Sequence, residues 1–261
     1  MILYCNGCSN TRGTHWSLKN HDRSLTWPNR LAKKLEATLI DDSKEGCSNF
    51  RILKTSVDSI LKMENKPDLV VMQWTYNERF ISPLGVNETN PKEPKGFRTH
   101  NPYAVSMGAK PTPYENFYKN FYNRKSKTQR AFLEEQTYFY IYMMQTFLEQ
   151  KNIDYVFMTF ETKEKTSTMQ ANRYKNKYIN SSKFMHDIDV SIEEILDSFN
   201  YKRSKVEKPD GKIDNHYKED AHEFISECIL DFNIVGQKLY SKSQHKLKRA
   251  NSIIHFYDED L

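Results

Sequence analysis

Cysteine is scarce in this chain: four thiols in 261 residues, Cys5, Cys8, Cys47 and Cys228. So few make no dense disulfide framework, which excludes a small stapled scaffold and agrees with a reducing compartment. Also lacking is any stretch near the ~20 apolar residues that a membrane-spanning helix requires. Met1 to Tyr4 runs straight into an apolar segment without a basic leader, so the expected setting is cytoplasmic with no membrane partner. Basic residues gather into no long stripe. The formal charge is +5, and the one dense run, Lys238 to Arg249, reads as a solvated helix face, so nucleic acid is not the expected partner. There is no internal repeat and no low-complexity tract. Apolar residues make up only 38%, yet sixteen Tyr and fifteen Phe bury much area each and keep the chain among folded proteins.

What is present is an alternation of short apolar runs with helical patterns. Met1 to Cys5 reads as a buried strand, Ala37 to Ile40 as a second, Leu69 to Met72 as a third and Asp154 to Phe160 as a fourth. Between them, Thr26-Trp27-Pro28 opens a helix with Thr26 as its cap, and Phe50 to Met63 carries Ile52, Leu53, Val57, Ile60 and Leu61 at helical spacing. Thr128 to Lys151 is the longest helical pattern, with Phe132, Phe139, Met143 and Phe147 along one face and Tyr140, Met144 and Leu148 beside it, a stripe expected to face the core. Ile192 to Phe199 and Glu219 to Asp231 read as further helices. Strand, helix, strand, helix, strand in close succession predicts an α/β fold of three layers around a doubly wound parallel sheet. The expected organisation is a single domain over 1–261. Residues 79–127 form a long insertion after the third strand, rich in Pro and without a period, expected to act as a lid or substrate wall or to cover apolar surface.

The stretch Asn6-Gly7-Cys8-Ser9-Asn10-Thr11 delivers a hydroxyl where the first strand ends, the edge at which open α/β folds place their chemistry. Gly46-Cys47-Ser48-Asn49 follows the second strand, Asn77 follows the third, and Asp214-Asn215-His216 lies late in the chain. In order and position these four stations resemble the sequence blocks of the SGNH/GDSL hydrolases, in particular a branch with Gly-Cys-Ser at the nucleophile. That resemblance implies a flavodoxin-like SGNH fold and a cofactor-free serine esterase acting on a small-molecule or carbohydrate ester. Ser9 would be the nucleophile, His216 the base and Asp214 its orienting acid, with Ser9, Gly46 and Asn77 forming the oxyanion hole. The sequence departs from the family at two places: Thr75-Tyr76-Asn77-Glu78 keeps only the Asn of the third block, and Asp214 stands two residues before His216 with Tyr217 where a Pro is usual.

Other readings stay open at this level. Asp210 can substitute for Asp214, and His222 is either a second candidate base or a capping and packing residue. Cys5, Cys8 and Cys47 offer at most three metal ligands, or Cys5 and Cys8 a redox pair, whereas structural metal sites favour four paired ligands, so no metal is expected. A non-catalytic binding or accessory protein that keeps the fold and has lost the site is the alternative to an esterase.

Overall fold

The computed structural model describes residues 1–13, 18, 22–77, 80–82, 98–100, 127–160, 175–186, 188, 191–207 and 213–232. In chain order the elements that position the site are β1 (Ile2–Asn6), α1 (Ser9–Arg12), α2 (Trp27–Lys34), β2 (Thr38–Asp41), α3 (Asn49–Lys62) and β3 (Leu69–Trp74). They continue with β4 (Phe80–Ser82), β5 (Arg98–His100), α4 (Lys127–Gln150), β6 (Asp154–Thr159), α5 (Ile192–Ser198) and α6 (Glu219–Asp231).

β1, β2, β3 and β6 form one parallel sheet in the order β2-β1-β3-β6, with Leu3 paired to Leu39 on one side and to Leu69 on the other. From β1 the chain winds outward first to β2 and then to β3 on the opposite side, so the strand order reverses between β1 and β3. A crevice opens at the carboxyl ends of such a pair. Both faces are covered, which is why the strands read as unbroken apolar runs rather than alternating ones. Leu3, Cys5, Leu69, Val71, Val156 and Met158 pack on the face covered by α2, α5 and α6. Tyr4, Val70, Met72, Trp74, Tyr155 and Phe157 pack on the face covered by α3 and α4. The expected three-layer α/β architecture is therefore the observed one. At the open edge of β6, Phe184 forms a parallel bridge to Phe157, and the Thr159 amide donates to His186 Nε2 at 3.1 Å. This short segment covers polar groups that an edge strand would otherwise expose.

Long α4 departs from expectation in part of its facing. Of the residues expected to meet the core, Met144 and Leu148 are buried and Tyr140 and Phe147 pack against it, whereas Phe132, Phe139 and Met143 are 55%, 45% and 45% exposed. Apolar residues occur all round this helix, so spacing alone does not set which part of the stripe is covered. Of the insertion, β4 and β5 form a short antiparallel pair in which Phe80 faces His100; the rest, including the expected lid or substrate wall, lies outside the described residues. So does the basic run from Lys238 to Arg249. Among the described residues no helix is long and apolar enough to cross a membrane.

Candidate active site

The end of β1 is fixed from below. Asn6 Nδ2 donates to Thr55 Oγ1 at 2.9 Å and to Ser56 Oγ at 2.8 Å, both on α3, and Asn6 Oδ1 accepts from the Gly7 amide at 2.8 Å. Above this anchor the backbone turns and Ser9 opens α1, where intrahelical partners do not reach the first amides. Gly7 is required by close approach: a Cβ there would lie 2.0 Å from Thr11 Oγ1 and 3.1 Å from Gln73 Cβ. Thr11 in turn donates to Gln73 Oε1, which ties the turn carrying Ser9 to the end of β3.

Asp214 and His216 arrive from a two-stranded ribbon that the sequence pattern did not reveal. Residues 202–207 run antiparallel to 213–218, with bridges Arg203 to Tyr217 and Glu207 to Ile213. The Asp214 amide donates to the Val206 carbonyl at 2.8 Å, and the Ser204 amide to the His216 carbonyl at 2.7 Å. In extended chain, residues i and i+2 face the same side. A spacing of two therefore brings carboxylate and imidazole together on one side of the ribbon.

The three side chains form one continuous run. His216 Nδ1 lies 2.7 Å from Asp214 Oδ1, and His216 Nε2 lies 2.8 Å from Ser9 Oγ, across a sequence separation of 207. Asp214 is fully buried and Ser9 nearly so, while the His216 side chain is 22% exposed. An ionised carboxylate only accepts, so the Nδ1 proton points to Asp214 and Nε2 is left to accept from the Ser9 hydroxyl.

Gly46 and Asn77 lie on loops that leave β2 and β3 at this same edge. The Gly46 loop is tied to the turn carrying Ser9 by the Lys44 amide on the Gly7 carbonyl and by Arg12 Nη1 on the Ser43 carbonyl, both at 3.1 Å. What Gly46 supplies is a φ of +70°, since a Cβ at that position would meet nothing within 4 Å. Asn49, at the start of α3, clamps the exit from β3: its Oδ1 accepts from the Thr75 amide at 2.7 Å and its Nδ2 donates to the Thr75 carbonyl at 3.0 Å.

His222 caps a helix, though not its own. Its Nδ1 accepts from the Trp27 amide at 3.3 Å, supplying α2 with the cap that Thr26 does not provide, because the Thr26 hydroxyl donates to the Arg23 carbonyl. Burial, with Arg30 and His216 adding to it, holds His222 down to about 3, so this imidazole is neutral. Asp210 lies outside the described residues. Cys5 packs on one face of the sheet and Cys8 and Cys47 on the other, which separates the Cys-x-x-Cys pair. Burial, reinforced by Asp41, pushes the Cys5 thiol up. Among the described residues no three His, Cys, Asp or Glu side chains cluster in the manner of a metal site.

No curated protein matches the chain. Among solved structures it is similar in fold to the acetyl xylan esterase AlAXEase, at 14% identity over 88% of this chain and 98% of that one, TM-score 0.45. It is similar also to AlinE4, an SGNH-hydrolase family esterase, at 13% identity over 92% and 97%, TM-score 0.42. A third is a member of the lipolytic protein G-D-S-L family from Veillonella parvula DSM 2008, at 12% identity over 88% and 96%, TM-score 0.41. A family model matches residues 7–244, and by that match the chain belongs to DUF6071, a family of unknown function.

Proposed function

We propose that the protein is a serine hydrolase acting on an ester, with Ser9 as nucleophile, His216 as general base and acid, and Asp214 as the group that fixes the imidazole. The observation supporting this reading is the unbroken run Ser9 Oγ, His216 Nε2, His216 Nδ1, Asp214 Oδ1, at 2.8 and 2.7 Å. An unassisted serine is a poor nucleophile at neutral pH; a base within bonding reach and a buried acid behind it remedy that.

In the reaction, Ser9 Oγ attacks the ester carbonyl carbon as its proton passes to His216 Nε2. The resulting imidazolium is stabilised by Asp214, which stays ionised. The tetrahedral oxyanion takes hydrogen bonds from the Ser9 amide, the Gly46 amide and the Asn77 side chain, donors worth about 10²–10³ in rate apiece where well aimed. Collapse breaks the bond to the leaving alkoxide, which departs as the alcohol with the proton from His216, leaving an acyl group on Ser9. Water then attacks that acyl group, giving its proton to His216, and the acid leaves as Ser9 regains its hydrogen. No cofactor enters these steps. The substrate class is a small-molecule or carbohydrate ester, an acetylated sugar being the simplest case. Residues 1–261 act as one domain, with 79–127 shaping the substrate's surroundings.

The test is direct. Wild-type protein treated with a fluorophosphonate is expected to gain one adduct by mass, on Ser9, and to turn over p-nitrophenyl acetate. Ser9→Ala is expected to do neither while melting at the wild-type temperature. Equal turnover by mutant and wild type would end the assignment, and absence of labelling in the wild type would favour an accessory protein instead.

A further inference from the structure

We propose that Arg203 and Tyr217 are positioning residues that, with Glu193 and Asp197 of α5, form a clamp holding His216 within bonding distance of Ser9. The proposal rests on the reading of Ser9 and His216 given above. Among the described residues the ribbon that carries His216 shows two bridges, and its residues Lys202, Lys205, Val206, Ile213 and Asn215 are exposed. With so much of it turned outward, something on its inner side must set where it lies.

That something is concentrated on Tyr217. Its hydroxyl donates to Asp197 Oδ1 at 2.5 Å and accepts from Arg203 Nη2 at 2.7 Å. Arg203 stacks on the ring at 4.4 Å from its centroid, while Phe160 meets that ring edge-on at 6.1 Å. The same guanidinium reaches Glu193 Oε1 at 2.6 Å and Asp197 Oδ2 at 2.8 Å. These two carboxylates stand four residues apart on α5, and a planar fork spans them while also covering an aromatic face, a combination that lysine cannot reproduce. Successive residues of an extended chain project to opposite sides. Locking Tyr217 against α5 therefore fixes the backbone from which His216 projects the other way, towards Ser9. Burial first, and then Asp197, push the Tyr217 hydroxyl up, so it remains a donor throughout the working range. The clamp also explains why Tyr217 can stand where SGNH hydrolases carry proline: a pinned side chain restrains the backbone that a ring would otherwise restrain.

The experiment compares wild type, Tyr217→Phe, Arg203→Met and Arg203→Lys. It measures p-nitrophenyl acetate turnover, melting temperature, and the downfield proton resonance of the hydrogen bond between His216 Nδ1 and Asp214. Tyr217→Phe and Arg203→Met are expected to lower kcat by about 10- to 100-fold, the cost of a small displacement of a reacting group. KM is expected to stay within about twofold, because the clamp touches no substrate. The resonance should weaken or shift, Arg203→Lys should not restore either signal, and the double variant should be no slower than the worse single one. Wild-type kcat together with an unshifted resonance in Tyr217→Phe overturns the clamp; since this variant removes a single oxygen, misfolding of Arg203→Met does not spare the proposal. Failure of the esterase reading would show separately, as no turnover and no Ser9 adduct in the wild type, and the resonance would still decide for or against the clamp.

Discussion

At the scale of single residues, two glycines near the site do different work. A methyl group at Gly7 would collide with the Thr11 side chain at 2.0 Å, whereas one at Gly46 meets open space but must adopt a φ of +70°. Gly7→Ala is expected to destabilise the protein by about 1–3 kcal/mol and to displace Ser9. Gly46→Ala should cost about 1–2 kcal/mol, the price of a left-handed backbone, without moving the nucleophile. Denaturant titration alongside fluorophosphonate labelling rates separates the two outcomes. His222 yields a pH prediction. Its folded value of about 3 lies below the 6.5 of an ordinary imidazole, so between these values the unfolded chain binds the additional proton. Stability therefore rises with pH across that window and is lost as pH falls through it, by up to about 1.4 kcal/mol per unit. His222→Asn, whose carbonyl oxygen can still accept from the Trp27 amide, is expected to show a flatter melting temperature between pH 4 and 6.5. An unchanged slope would contradict the assignment.

At the scale of elements, α4 shows what a helical pattern can and cannot reveal. Its existence was readable from length and spacing, but with apolar side chains on every side, the periodicity could not tell which stripe meets α3. Phe139→Glu is accordingly expected to change stability by less than about 0.5 kcal/mol, since that ring is 45% exposed. Ile141→Ala, at a fully buried position, should cost about 2–5 kcal/mol. Urea midpoints of the two variants decide the matter, and a larger loss from Phe139→Glu would mean that its stripe is covered. The ribbon of residues 202–207 and 213–218 was invisible for another reason. Lys202, Arg203, Ser204 and Lys205 carry no apolar alternation, and the partners that pin Tyr217, Asp197 on α5 and Phe160 just past β6, lie 20 and 57 residues before it. The one local signal was the Asp-x-His spacing itself, which fits extended chain better than a turn.

For the whole molecule, the four parallel strands and the layering followed from continuous apolar runs separated by helical segments, because burial on both faces leaves a strong and local imprint. The turn that carries Ser9 was legible for the same reason: it terminates one of those runs. Less legible was everything that depends on contacts between distant segments, including the cap that His222 gives α2, the grip of Asn49 on Thr75, and the clamp around Tyr217.

The two groups that share a proton lie 207 residues apart in sequence. If the two act as proposed, the hydroxyl has its base only while the ribbon of residues 202–207 and 213–218 is folded back onto the turn after β1. Labelling of Ser9 by a fluorophosphonate would then report the closing of one long-range contact, and any partly opened state that frees the ribbon would lose it before the sheet itself comes apart.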